Sequence, residues 1–209
     1  MGAEAVAARV AVHRPLPPEE AARADFYALL SRFFDSAPDA ALLASLAAAP
    51  AIPGESALAR AWRGLVDASG VMDGDAAAEE YDALFVAVGK AKVSLYAGSY
   101  AGAAAVEHPR VRMQDDLAAL GLARPDRVTE PEDHFSGLFD VMRVLVAGGA
   151  GRSPAGVEEQ RKFFTAHVEP GAARFFAAVG GAAEANYYRH VAAVGAAFAA
   201  LESESFQLD

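Results

Sequence analysis

Glu130-Pro131-Glu132-Asp133-His134 sets three carboxylates and an imidazole within five residues, directly ahead of an apolar pattern. Side chains of these types support acid–base or metal-assisted catalysis, the start of a helix, or recognition of a cationic partner. The helix reading covers most of the stretch. Thr129 and Glu132 have the Ser/Thr-x-x-Glu spacing of a capping box, and Pro131 is tolerated in a first turn. Glu130, Glu132 and Asp133 then stand at the positive end of the helix dipole. This predicts a helix from Thr129 to Ala147, with Phe135, Leu138, Phe139, Met142, Leu145 and Val146 on its core face. His134 is left without a role, because a cationic imidazole is disfavoured at that end unless the adjacent carboxylates hold it.

Catalytic and metal chemistry find little support. Consecutive helical residues point about 100° apart, so Glu132, Asp133 and His134 do not converge on one ion. No His-Glu-x-x-His is present, and His13, His108, His167 and His190 have no partner at i, i+4. There is no Gly-x-Ser-x-Gly elbow; Gly98-Ser99 is the nearest serine in a glycine setting. Val88-Gly89-Lys90 lacks the first glycine and the final Ser/Thr of a phosphate loop. The absence of cysteine excludes disulfides, thiolate metal sites and a cysteine nucleophile. No catalytic set, metal or cofactor is expected. The alternative kept from the enzyme class is a small α-helical metal-dependent hydrolase using Glu132, Asp133 and His134.

The elements that must position these residues are helical. The 209-residue chain is 54% hydrophobic and rich in alanine, the best helix former. Its net charge of −10 argues against nucleic-acid binding and docking on anionic lipid, and favours a cationic partner. No apolar run approaches the roughly 18 residues of a membrane span. Residues 1–17 read as a flexible tail and 18–209 as one all-α domain. Phe26, Leu29, Leu30, Phe33 and Phe34 mark a buried stripe on a helix that starts at Pro18. Further helices are predicted over 38–49, from Glu55 to Gly70, 74–88 and 109–120, the last ended by Gly121 as a left-handed cap. After 129–147, a glycine-rich break at Gly148–Gly151 precedes helices over 155–167, 170–179 and 182–202. The sum is a single bundle of about eight to ten helices. Between two of them, Gly89 to Gly102 is glycine-dotted and poor in helical period, the kind of long loop that carries function.

Two stretches together carry a resemblance. Glu79-Glu80-Tyr81-Asp82-Ala83-Leu84-Phe85, with the loop through Tyr96, Ser99 and Tyr100, resembles a segment of the TorD/DmsD/NarJ family. That segment reads Tyr-x-x-Leu-Phe, a glycine- or proline-containing loop, then aromatic-x-Ser-x-aromatic. Glu130 to His134 resembles the same family's Glu-Pro-x-Asp-His helix start, and His167 to Phe176 a later turn. The resemblance covers about Pro18 to Leu201 and implies a TorD-like all-helical fold.

It also implies a cytoplasmic chaperone of redox-enzyme maturation. Such proteins bind the twin-arginine signal peptide, or the apo form, of a molybdopterin-containing catalytic subunit until the cofactor is inserted. Turnover is not implied. Neither is membrane insertion, and the protein would be a monomer or a domain-swapped dimer. The implied client-binding residues are Glu132, Asp133, His134, Tyr81, Leu84, Phe85, Tyr96, Ser99 and Tyr100. Acidic groups would meet the arginines, and the aromatic and aliphatic residues would wall a groove. The chain departs from the pattern at Val86-Ala87-Val88-Gly89, at Tyr96 and Tyr100 where tryptophan can stand, at Gly98 where the serine is expected, and at Gly171 where an aromatic can stand.

Overall fold

Phe34 sits at the centre of an aromatic cluster that decides how the helices pack. Its ring lies 4.8 Å from Phe175, 6.0 Å from Phe85, 6.1 Å from Phe176, 6.2 Å from Phe139 and 6.3 Å from Tyr188. These rings come from four helices and one turn, in a computed structural model that describes residues 15–86, 91–100, 109–122, 132–149 and 151–208. Among the described residues there are nine α-helices and no extended strand. They are α1 (Pro18–Asp35), α2 (Ala40–Ala47), α3 (Ala57–Ser69), α4 (Gly74–Tyr81), α5 (Pro109–Ala119), α6 (Phe135–Ala147), α7 (Val157–Phe163), α8 (Glu169–Gly181) and α9 (Tyr188–Leu208). The all-α expectation holds. Thr129 and residues 1–14 of the expected tail lie outside the described residues.

α1 lies chiefly along α6, α9 joins α8 to α3, and α2 closes against α3. The predicted stripe on α1 turns inward: Leu30, Phe33 and Phe34 are fully buried, and Phe26 and Leu29 pack at the core's edge. Helix starts follow local chemistry. Asp39, Ser56 and Asp73 accept the N–H groups of Leu42, Ala59 and Ala76 at 2.8, 3.1 and 2.8 Å. α2 therefore begins after Asp39 rather than at Pro38. Gly121 ends α5 with φ +64°, and Leu122 N–H reaches back to the Leu117 carbonyl at 2.9 Å, as its left-handed cap requires.

Three boundaries in the second half of the chain differ from the periodicity for identifiable reasons. The pattern breaks the chain between His167 and Pro170, yet α7 runs into α8 through a π-helical turn at Phe164–Val168. The wide turn leaves Pro170 in the first turn of α8, where its missing N–H costs nothing. α9 starts at Tyr188, not Ala182, because its cap comes from far away in sequence. The Glu80 carboxylate, 9% exposed, accepts from Tyr187 N–H at 2.9 Å and Tyr188 N–H at 2.7 Å. The helix then passes the expected end at Glu202. The buried Glu202 carboxylate accepts two hydrogen bonds from Arg23 at 2.8 Å each and one from the Tyr27 hydroxyl at 2.7 Å. Phe206 is buried one turn on, under the Arg23 guanidinium.

Replacing Glu80 by alanine strands two buried N–H groups at the start of α9. Glu80→Ala should lower unfolding free energy by roughly 2–3 kcal/mol in urea titration, and a loss under about 0.5 kcal/mol would refute this role.

The alkaline limit follows from the same core. Burial pushes the Tyr27 and Tyr188 hydroxyls well up, and that of Tyr187 up to about 12. A raised folded pKa stabilises the fold fully below the ordinary tyrosine value near 10, and that contribution is lost as pH climbs from about 10 through 12. These three tyrosines should ionise together with loss of helical circular dichroism. Tyrosinate absorbance that reaches its full value while the helix signal is intact would contradict this.

Candidate functional site

The loop and the acidic motif meet through backbone. Ala97 N–H donates to the Asp133 carbonyl at 2.8 Å and Phe135 N–H to the Leu95 carbonyl at 2.9 Å, so Tyr96 and His134 form an isolated antiparallel bridge. The rings of these two residues stand edge-on at 5.3 Å. Leu95 and Val93 are buried, and Val93 N–H bonds the Leu84 carbonyl at 3.0 Å. That carbonyl belongs to the π-helical turn Asp82–Val86 which follows α4. The Tyr-x-x-Leu-Phe segment, the loop and the acidic motif are thus consecutive layers of one structure.

α6 begins six residues later than the capping box predicts. His134 is its N-cap: Nδ1 accepts from Ser136 N–H at 3.3 Å and lies 2.7 Å from the Ser136 hydroxyl. The side chain that the capping-box reading left unexplained is the cap itself. Thr129 and Glu130 fall outside the described residues. Glu132 lies in the turn before the helix and accepts from Gln114 Nε2 of α5 at 3.1 Å.

Asp133 is only 3% exposed, and its Oδ2 accepts from Gly98 N–H at 3.1 Å. A Cβ at position 98 would stand 2.9 Å from that oxygen, so any larger residue there has to push the carboxylate aside. The apparent one-residue shift of the serine therefore has a local reason: Gly98 faces Asp133, and Ser99 turns outward. Ser99 Oγ pairs with Ser94 Oγ at 2.7 Å. Tyr100 donates its hydroxyl to the Ser94 carbonyl at 2.9 Å and leans its ring on Phe135 and Phe175. Burial pushes that hydroxyl up, against the effect of the Ser94 bond. The other departure, Gly171, lies under the loop. A Cβ there would meet Phe135 at 3.2 Å and Tyr100 at 3.5 Å, so in this packing an aromatic has no room.

The expected residues divide by exposure. Tyr96, Ser99, Tyr100 and Glu132 are partly or fully open to solvent; Asp133 and His134 lie beneath them. Leu84 is fully buried and Phe85 nearly so, both in the core cluster around Phe34. Tyr81 is partly buried, with its hydroxyl on the Phe34 and Asp35 carbonyls at 3.3 and 3.1 Å, and its ring 5.1 Å from Phe85. Sequence reasoning missed Ser94, Leu95, Gly98 and Ser136. Gly98, between two tyrosines in a loop, was the one visible signal. Among the described residues no group of three or more histidines, aspartates and glutamates is placed to hold a metal ion. No helix of the described residues is long and apolar enough to cross a membrane.

Residues 54–177 match the family described as nitrate reductase delta subunit, a span that holds the π turn, the loop and the whole of α6. The chain belongs to that family. Its members are TorD-like chaperones of redox-enzyme maturation that serve molybdoenzyme catalytic subunits. No curated protein matches the chain.

If Asp133 holds the loop, Asp133→Ala should accelerate amide exchange at Gly98 by roughly tenfold while the amides of α9 keep their protection. Unchanged exchange at Gly98 would show that the carboxylate is not what fixes the loop.

Proposed function

We propose that the chain binds the precursor of a molybdopterin-containing catalytic subunit in the cytoplasm, through its twin-arginine leader or its apo form, until the cofactor is inserted. The observation that carries this reading is the surface formed by Tyr96, Ser99, Tyr100 and Glu132 over the buried Asp133 and His134. Glu132 and the protein's net charge of −10 attract the cationic end of a leader. Tyr96 and Tyr100 offer aromatic faces to its apolar part. Asp133 and His134 act mainly by fixing the loop, since their burial leaves little surface for an incoming guanidinium. Tyr81, Leu84 and Phe85 form the wall behind it. No step of this cycle breaks a covalent bond in the chaperone or the client.

Tagged protein recovered from its host's cytosol should carry a molybdoenzyme precursor, identified by mass spectrometry. The double variant Asp133→Ala, His134→Ala, with its helical signal intact, should recover roughly tenfold less. Equal recovery by the folded double variant would sink the site assignment. A precursor with an intact leader would indicate leader recognition, and a leaderless subunit would indicate binding to the apo enzyme.

A further inference from the structure

A cleft of about 450 Å³ opens between the C-terminal half of α3 and the first turn of α9. Gly64, Asp67, Ala68 and Met72 form one side, and Tyr187 and His190 the other. It contains none of the residues of the Tyr96–His134 pairing. Its size falls within the range of about 300–1,000 Å³ that accepts small ligands or one or two side chains. The surface inside is mainly apolar, and at its edge Val71 is 89% exposed. An aliphatic side chain so exposed beside an apolar cleft marks a surface that gains by being covered.

The charges around the cleft choose the kind of occupant. Asp67 is exposed at its rim and forms no ion pair with any described residue. The C-terminal end of α3 adds the negative pole of its dipole. The positive pole at the start of α9 is already taken by the buried Glu80 carboxylate, so it draws no anion. No lysine or arginine lines the cleft, and neighbouring Arg189 is held by the Ala185 carbonyl and the Asn186 side chain. A second copy of this chain would bring its own net charge of −10 to a negative rim, which is unfavourable.

We propose that this cleft is a separate peptide-binding site. An apolar side chain seats against Ala68 and Met72, while an adjacent arginine or lysine of the same segment meets Asp67. Burial of the apolar group supplies the attraction, and Asp67 selects for the basic neighbour. The site does not depend on how the Tyr96–Tyr100 surface is used.

The test is an NMR titration of the isotopically labelled full chain with the blocked peptide Gly-Leu-Arg-Leu-Gly. The amides of Gly64, Asp67, Val71 and His190 should shift, and the analogue with glutamate in place of arginine should leave them unmoved. Asp67→Lys should weaken binding by about tenfold, and the isosteric Asp67→Asn by less. Both variants change an exposed side chain, and retention of the wild-type helical signal verifies their folding. Shifts confined to Gly98 and Ser136 would assign the peptide to the other surface and overturn the proposal. Equal binding of the glutamate analogue, or no shift at any amide, would overturn it too.

Discussion

The candidate functional region hangs on one short piece of backbone pairing, the bridge between Tyr96 and His134. Two N–H···O bonds join the 95–97 segment to the residues that open α6. Without them the loop would have no fixed path, since glycine-containing segments gain conformational freedom when released. The Asp133 carboxylate secures the same contact from the side, through Gly98 N–H. His134 ends the pairing and begins the helix, so one residue serves as both bridge partner and cap. The acidic motif is thus first a device for placing a loop, and the surface it presents is a consequence of that placement.

The helical core supplies rigid support for this arrangement. Phe135, the first residue of α6, stacks on Phe175 of α8 with centroids 4.0 Å apart, and Tyr100 rests on both. The loop is thereby tied to the cluster around Phe34 as well as to the motif. Two buried carboxylates organise the rest: Glu80 caps α9, and Glu202 binds Arg23 and Tyr27 across the α1–α9 contact. Buried ion pairs of this kind add specificity more dependably than stability, because desolvation offsets much of their attraction.

Much of the architecture was legible in the sequence where the signal is local. The α1 stripe and the glycine stop at Gly121 follow from neighbouring residues, as do the caps at Asp39, Ser56 and Asp73, which the periodicity alone did not pick out. The starts of α6 and α9 were not legible. A capping box ending at Glu132 competed with an imidazole cap at His134, and the α9 cap arrives from Glu80, over 100 residues away. The π turn before Pro170 was hidden because a proline reads as a break. For the site, motif resemblance picked out two segments that the structure pairs at Tyr96 and His134. The contact of Asp133 with Gly98 is tertiary, and no spacing rule predicts it.

The most direct test of the central claim is site-specific photo-crosslinking in cells that make the molybdoenzyme. A photoreactive side chain at Ser99, exposed on the loop, should capture the catalytic-subunit precursor. The same group at Asp140, on the outer face of α6, should not. Capture from Ser99 alone is the predicted result. Equal capture from both positions, or from Asp140 only, would contradict the assignment of the client to the loop held by Asp133 and His134.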